Sequence, residues 1–205
     1  TDGASNLQGE YNGAITLFLE MIDRADKEVV KMHCMNHKLE LAVHKVVDDI
    51  NQVLHIRQFV DTLYAFFSQS PKNQRALELV ARELQAELLK IGRIFDIRWL
   101  SSTYRSINAL WKCLPSLCKF FQERTLDSTI SSKDQAKATG MLRKMQNWSF
   151  AFELALLRDS LDILQNLSLF LQRRDSSLLN AQASIQIALK SLTALKSTNG
   201  LSLEH

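Results

Sequence analysis

The sequence predicts a mainly α-helical bundle with one short β-strand. Apolar residues recur at spacings of three and four over most of the chain from Leu39 onward, which is typical of helices with one buried face. The run Glu28 to His33 instead favours a strand, because Val29 and Val30 suit a pleated surface. A lone strand cannot satisfy its own backbone groups, so this one requires partner strands that the sequence does not supply.

The first two helical regions follow from apolar spacing. A helix is predicted from Asn12 or Gly13 to about Ala25, after a stretch rich in glycine and small polar residues. A second helical stripe covers 39–67 and is expected to be interrupted around Asn51.

Proline and glycine divide the next part of the chain. Ser70-Pro71 separates two helices, because the residue before proline disfavours helix while proline suits a first turn. The helix that follows carries apolar residues from Leu77 to Ile91, and Gly92 is its predicted end.

A break in the periodicity at Phe95 to Trp99 precedes a long helix. Ser101 or Ser102 is expected to cap it, and Pro115 inside it should kink or split it. Its predicted buried face is Ile107, Leu110, Trp111, Leu114, Leu117 or Cys118, and Phe121.

A polar connector at 125–132 leads to the last three helices. Ser132 and Gln135 have capping-box spacing and predict the first of these. The other two are predicted at 148–172 and 177–196, with Asn199-Gly200 ending the last. The predicted inward residues are Phe152, Leu156, Leu157, Leu161, Leu164 and Leu167, then Ile185, Leu189, Leu192 and Leu195.

Composition narrows the class of protein only partly. The 205 residues suffice for one large or two small domains, and 46% hydrophobic with 23% charged residues is ordinary for a globular protein. The longest apolar runs fall far short of the roughly 20 residues that span a bilayer, so no membrane contact is expected. A net charge of +3 permits nucleic-acid binding without predicting it. Three cysteines without framework spacing favour a reducing compartment, the cytosol or nucleus.

Cys34 and His37 are candidate reactive or metal-binding residues at the predicted junction of strand and helix. With His33 they offer three possible ligands within five residues, and Cys113 with Cys118 could complete the four ligands of a structural zinc site. The alternative is that the histidine packs or caps, and that Cys118 is a core residue, since free cysteine is among the most buried types.

Two further positions could bind a metal ion or nucleic acid. Asp2 could be a magnesium-binding carboxylate or a turn residue before Gly3. Arg98 and Trp99 could form a phosphate clamp and a stacking platform for an unpaired base. The alternative for this pair is that Trp99 anchors the helix junction while Arg98 caps carbonyls or pairs with Asp96.

Four motifs in order resemble the hAT superfamily of DNA transposases and the proteins domesticated from them, over about residues 1 to 121. They are Asp2-Gly3-Ala4-Ser5 followed by Gly9, His33-Cys34-x-x-His37-x-Leu39-x-Leu41, Phe67-Ser68-x-Ser70-Pro71-x-x-x-Arg75, and Arg98-Trp99-x-Ser101. The resemblance implies an RNase H-like catalytic core that is interrupted by a long helical insertion.

The resemblance also implies roles for the site residues. Asp2 would be the second of three metal-binding acids, which hold Mg²⁺ in a catalytically active parent protein. Cys34 and His37 would lie near the active site and its DNA, and Trp99 would stack on a flipped base with Arg98 beside it. The lone strand would be left from a truncated RNase H-like core, and its partner strands would precede residue 1.

The departures from the family pattern shape the functional expectation. The first acid should precede residue 1. The segment that carries the third acid is not found: Glu123-Arg124 has the Glu-Arg dipeptide of that segment but not the residues on either side of it. With one carboxylate left, the two-metal reaction is not expected of this chain, and no resident cofactor or metal site is assigned to it. The expected divisions are 1–38 as a partial RNase H-like core, 39–200 as a helical domain that includes the insertion, and 203–205 as a tag remnant.

The sequence therefore predicts a fragment of a domesticated, nuclear hAT transposase-like protein that binds DNA or a protein partner, a second copy included. Two alternatives stay open. The parent could be an active metal-dependent transposase, or the chain could be a scaffold of the SUMO-ligase type.

Overall fold

The computed structural model describes residues 14–23, 34–94, 99–173, 177–197, 200 and 202. Within these residues every element of secondary structure longer than one residue is an α-helix, which confirms the mainly α class. The eight helices are α1 (Ala14–Asp23), α2 (Met35–Val47), α3 (Asn51–Ser68), α4 (Pro71–Glu83), α5 (Trp99–Leu126), α6 (Ser132–Met145), α7 (Trp148–Leu171) and α8 (Leu178–Ala194). The predicted strand at Glu28 to His33 lies outside the described residues, so it stays a prediction.

The chain divides into two compact units, Thr1–Val43 and His44–His205. In the first unit, α1 confirms the predicted helix near the start of the chain. Helix α2 begins four residues before the predicted Leu39, because the Cys34 carbonyl already accepts a hydrogen bond from the Lys38 amide at 3.2 Å.

Helix α5 is the central element of the second unit. It packs against α3, α4, α6 and α7, while α8 packs against α7. Four predicted inward residues are buried: Ile107, Leu110, Leu117 and Phe121. The predicted split at Pro115 is wrong, since α5 continues through this exposed residue to Leu126.

The boundaries around α3 follow local sequence chemistry. The predicted interruption near Asn51 is confirmed, because α2 ends at Val47 and α3 begins at Asn51. Pro71 is the first residue of α4, and the Ser70 hydroxyl accepts a hydrogen bond from the Asn73 amide at 3.3 Å. Proline and an N-cap serine therefore start this helix as predicted.

Helix α4 ends at Glu83, so the predicted end at Gly92 is wrong. The Gln85 amide donates to the Arg82 carbonyl at 3.0 Å, and the Ala86 amide donates to the Ala81 carbonyl at 2.9 Å. With Gln85 at φ 51°, these bonds form a Schellman motif that has glutamine at the position usually taken by glycine. The apolar spacing continues past this point, but the backbone does not remain helical.

Residues 86–94 form a segment without helix, called the strap below. The strap lies against α5. Ser106 Oγ donates to the Gly92 carbonyl at 3.1 Å, and the Lys112 ammonium lies 2.9 Å from a Glu87 carboxylate oxygen. The Ser106 hydroxyl therefore satisfies one backbone carbonyl of the strap, and the ion pair adds a side-chain contact, in a segment where the periodicity predicted helical hydrogen bonds.

Two predicted caps differ from the structure. Helix α5 already includes Ser101 and Ser102, and Ser102 Oγ donates to the Trp99 carbonyl at 3.1 Å instead of capping. Helix α6 is capped by Ser131, one residue before the predicted Ser132, because Ser131 Oγ accepts from the Asp134 amide at 3.2 Å. Adjacent serines offer the same chemistry, so the sequence did not distinguish them.

Helices α7 and α8 confirm the predictions for 148–172 and 177–196 to within two residues at each end. Some predicted inward residues are wrong: Phe152, Leu156 and Leu189 are exposed. Leucine and phenylalanine occur on most sides of α7, so spacing alone does not select the face that packs against α5. Among the described helices, none is both long and apolar enough to cross a bilayer.

Candidate functional site

Two of the five predicted site residues, Asp2 and Arg98, lie outside the described residues. The roles proposed for them stay predictions. Cys34 and His37 are described in the first unit, at the start of α2. Cys34 is exposed and His37 is half-buried, so the C-x-x-H pair lies at a helix N-terminus with its thiol open to solvent.

Trp99 is the first residue of α5 and is buried, with 2% of its surface exposed. The His44 ring lies 6.1 Å from the indole ring at an angle of 58°, and His44 Nδ1 lies 2.8 Å from an Asp48 carboxylate oxygen. The indole Nε1 is buried and has no hydrogen-bond partner among the residues that the structure describes. As the ring lies here, no face is open to an unpaired base, so the predicted stacking would require Trp99 to be uncovered first.

The cysteines of the second unit lie in different environments. Cys113 is fully buried and Cys118 is half-buried, and burial raises the pKa of both thiols. Cys113 is engaged by the strap, where its Sγ contacts both backbone polar groups of Leu89. In the part of the chain that the structure describes, no three His, Cys, Asp or Glu side chains are grouped so as to hold a metal ion.

A small apolar cleft lies between α3, α4 and the strap. Its volume is about 200 Å³, and its lining includes Leu63, Phe67, Leu77 and Leu88. Sites for cofactors and drug-sized ligands usually have roughly 300–1,000 Å³ and a few convergent polar groups. The cleft is smaller than this range, so we do not assign it a ligand.

Two polar clusters, one half-buried and one buried, tie α7 to its surroundings. Tyr104 donates to Asp162 at 2.7 Å, and burial followed by this hydrogen bond raises the pKa of Tyr104 to about 12. Asp159 accepts hydrogen bonds from the amide and the hydroxyl of Ser202, and the Arg158 guanidinium donates to the same hydroxyl at 2.7 Å. The polar side chains of both clusters form hydrogen bonds with other residues of the fold, which indicates that these clusters have structural roles.

The outer face of α6 is basic. Lys133, Lys137 and Arg143 are exposed, and the small residues Ala136 and Gly140 lie between them on the same side of the helix. None of the three cations forms an ion pair with another described residue. This basic face is not among the sites predicted from the sequence, although the spacing of Lys133 and Lys137 places both lysines on one side of a helix.

An exposed tryptophan follows this basic face. Trp148, the first residue of α7, is 74% exposed. Asn147 Oδ1 accepts hydrogen bonds from the Ser149 and Phe150 amides at 2.8 and 3.3 Å, so Asn147 caps the start of α7. From the sequence, Trp148 is predicted only as the start of a helix.

Helix α8 carries a mostly apolar row with the 4-3-4-3 spacing of a coiled coil. The row, called the α8 seam below, consists of Leu178, Gln182, Ile185, Leu189 and Leu192. Leu178 and Leu189 are 57% and 52% exposed, the polar Gln182 is exposed, and Ile185 and Leu192 are half-buried. The helix packs on α7 through the small residues Ala181 and Ala188, which leaves the seam beside the contact.

Comparison with known proteins identifies no family. No family model matches the chain. No solved structure matches it either. The surfaces of α6 and α8 are therefore interpreted from their own chemistry.

Proposed function

We propose that this chain is a helical interaction module of a nuclear, hAT transposase-derived protein, which acts by association and not by catalysis. The α8 seam docks on the α8 seam of a second copy. The family assignment is supported by the four ordered motifs in the sequence. The association is supported by one observation, the exposure of a mostly apolar row with heptad spacing.

The spacing of the seam argues for a helical partner. Apolar residues at alternating intervals of four and three lie on one side of a helix, where they can insert between residues of a facing helix. Exposed leucines that share one side of a helix mark a contact surface more often than scattered ones do.

The polar position in the seam is compatible with a helix pair. A single polar residue among apolar seam positions lowers the stability of a coiled coil but specifies its register. Gln182 occupies such a position between Leu178 and Ile185. We therefore expect it to align the two copies while it weakens their association.

The charge of α8 argues for a second copy. Lys190 is the one charged residue in the helix, so two copies can face each other with little repulsion. Identical seams also meet the requirement of a two-fold interface, in which the same patch serves both partners. The seam covers only about two heptads, and we therefore expect a weak dimer whose population depends on concentration.

Sedimentation equilibrium over a wide range of protein concentration tests this proposal. Leu189→Glu places a charge in the seam and should yield a monomer. Ile187→Glu is the matched control, because Ile187 is 64% exposed on the same helix but lies outside the seam. A wild-type chain that remains monomeric at every concentration would refute the proposal, as would equal loss of dimer in both variants.

A further inference from the structure

We propose that the outer face of α6, together with Trp148, binds single-stranded nucleic acid. The cations of the α6 face contact backbone phosphates, and one unpaired base stacks on the Trp148 indole. This proposal uses residues other than Arg98 and Trp99 and does not depend on self-association through α8.

The outer face of α6 concentrates positive charge. At 3.6 residues per turn, the positions from Lys133 to Arg143 that face outward fall within an arc of roughly 120°. This arc includes Lys133, Lys137 and Arg143 and no acidic residue. Asp134, the one acid of α6, lies outside the arc, where its carboxylate accepts a hydrogen bond from Ser131 Oγ at 2.8 Å. Unpaired cations in a row attract a polyanion and release its counterions on binding.

The outer face of α6 is open between its cations. Ala136 and Gly140 lie between the cations, and a Cβ added at Gly140 would meet nothing within 4 Å. A nucleic-acid backbone can therefore approach the helix closely. The ten steps from Lys133 to Arg143 span about 15 Å at 1.5 Å per residue. This length corresponds to about four nucleotides at 3.4 Å each.

An exposed aromatic ring lies just beyond the C-terminal end of α6. Trp148 follows α6 after the two-residue turn at 146–147, and most of its side chain is exposed to solvent. Basic residues beside an exposed indole form the usual combination in proteins that bind single strands, in which bases stack on aromatic rings. Trp99 is buried and Trp111 is half-buried, so among the tryptophans Trp148 is the one suited to this contact.

The composition of the face favours nucleic acid over a membrane surface. Helices that lie on membranes insert large apolar residues from the side opposite their lysines. The inward side of α6 is occupied instead, since Ala138 and Met145 are buried in the protein and the helix packs on α5 and α7. A lipid headgroup would meet charge without an apolar anchor.

Fluorescence anisotropy with a labelled single-stranded DNA oligonucleotide tests the proposal on the full chain. Three phosphate contacts give a slope of about −2 for log affinity against log salt concentration, so a fourfold rise in salt should weaken binding about 20-fold. The triple variant Lys133→Ala, Lys137→Ala, Arg143→Ala should lose most of the affinity and most of the salt dependence.

A charge-matched control removes three exposed cations elsewhere: Lys90→Ala, Arg93→Ala and Lys196→Ala. This variant has the same net charge as the first and should bind within about twofold of wild type. Equal weakening in both variants would overturn the proposal, because it would show attraction to net charge alone. Absence of binding at low salt would overturn it as well.

Trp148 is tested separately. Trp148→Ala should weaken single-strand binding by about 5- to 150-fold, the usual range for loss of one stacked base, whereas Trp148→Phe retains a ring and should lose less. Binding to the corresponding duplex should not respond to either substitution. If Trp148→Ala leaves single-strand affinity unchanged, or if vesicles with anionic lipid bind the α6 face while the oligonucleotide does not, the proposal is wrong.

Discussion

The Sγ atom of Cys113 lies 3.3 Å from the amide nitrogen of Leu89 and 3.4 Å from its carbonyl oxygen. The amide donates to the sulfur, and the thiol donates to the carbonyl. One buried side chain of α5 therefore satisfies both backbone polar groups of a strap residue 24 positions earlier in the chain. This contact holds the strap where the periodicity of the sequence predicted helix.

Cys113→Ala should destabilise the second unit. The substitution leaves the Leu89 amide and carbonyl without their partner, and an unsatisfied buried polar group costs about 1–3 kcal/mol. Urea unfolding followed by circular dichroism measures the change. Cys118→Ala is the control: its thiol is half-buried and we expect a smaller loss. An equal loss in both variants would show that the bonds to Leu89 contribute nothing specific.

The Tyr104 phenol should give stability a dependence on alkaline pH. Because its pKa in the folded chain is raised to about 12 from 10.0, the stabilisation is complete below pH 10.0 and is lost as the pH rises through about 12. Tyr104→Phe should remove this dependence. Spectrophotometric titration should show a phenolate transition at about pH 12 in wild type, and this transition should be missing in the variant.

Asp162→Asn supplies the complementary test, since the Asp162 hydrogen bond and charge both raise the pKa of Tyr104. The late phenolate transition should move to lower pH in this variant. A transition that does not move would assign the whole shift to burial.

Gly200→Ala and Gly140→Ala should change stability in opposite directions. Gly200 has φ 71°, and a Cβ there would collide with the Asp159 carboxylate. The left-handed backbone alone costs a non-glycine residue roughly 1–2 kcal/mol. Gly140 lies inside α6 with open space around it, so alanine should stabilise that helix by up to about 1 kcal/mol. Thermal denaturation compares the two, and a loss of stability at both positions would contradict the assignment of open space at Gly140.

Gln85→Gly should stabilise the end of α4. Gln85 has φ 51°, a conformation that glycine adopts without the cost paid by other residues, so we expect a gain of about 1 kcal/mol. Gln69→Gly is the matched control, because Gln69 follows α3 with φ −86° in the right-handed region, where glycine brings only extra freedom to the unfolded chain. Chemical denaturation should show stabilisation at Gln85 and destabilisation at Gln69.

Local signals in the sequence predicted most helices and several of their boundaries. Pro71 with Ser70 located the start of α4, and the apolar row Ile107, Leu110, Leu117 located the buried face of α5. These features depend on neighbours within a few residues, which is why the sequence reveals them.

Features that depend on residues far apart in the chain were not predicted from the sequence or remain untested predictions. The end of α4 is accompanied by a strap that Cys113 and Ser106 hold from another helix. The burial of Trp99 beside His44 likewise involves residues far apart in sequence. The spacing of Lys133 and Lys137 indicates a basic side of α6, but the sequence does not show whether that side is exposed, because its exposure depends on how α6 packs. The resemblance to hAT transposases and the roles of Asp2 and Arg98 stay predictions.

Helix α5 packs against helices that precede it and against helices that follow the exposed loop at 127–131. A protease that cuts this loop should therefore leave two fragments that remain associated, since α5 would stay packed on α6 and α7 without a covalent link. The same loop offers a place to open the chain for split reporters or circular permutants, provided that the Asp127 carboxylate still accepts the hydrogen bonds from the Thr129 amide and hydroxyl.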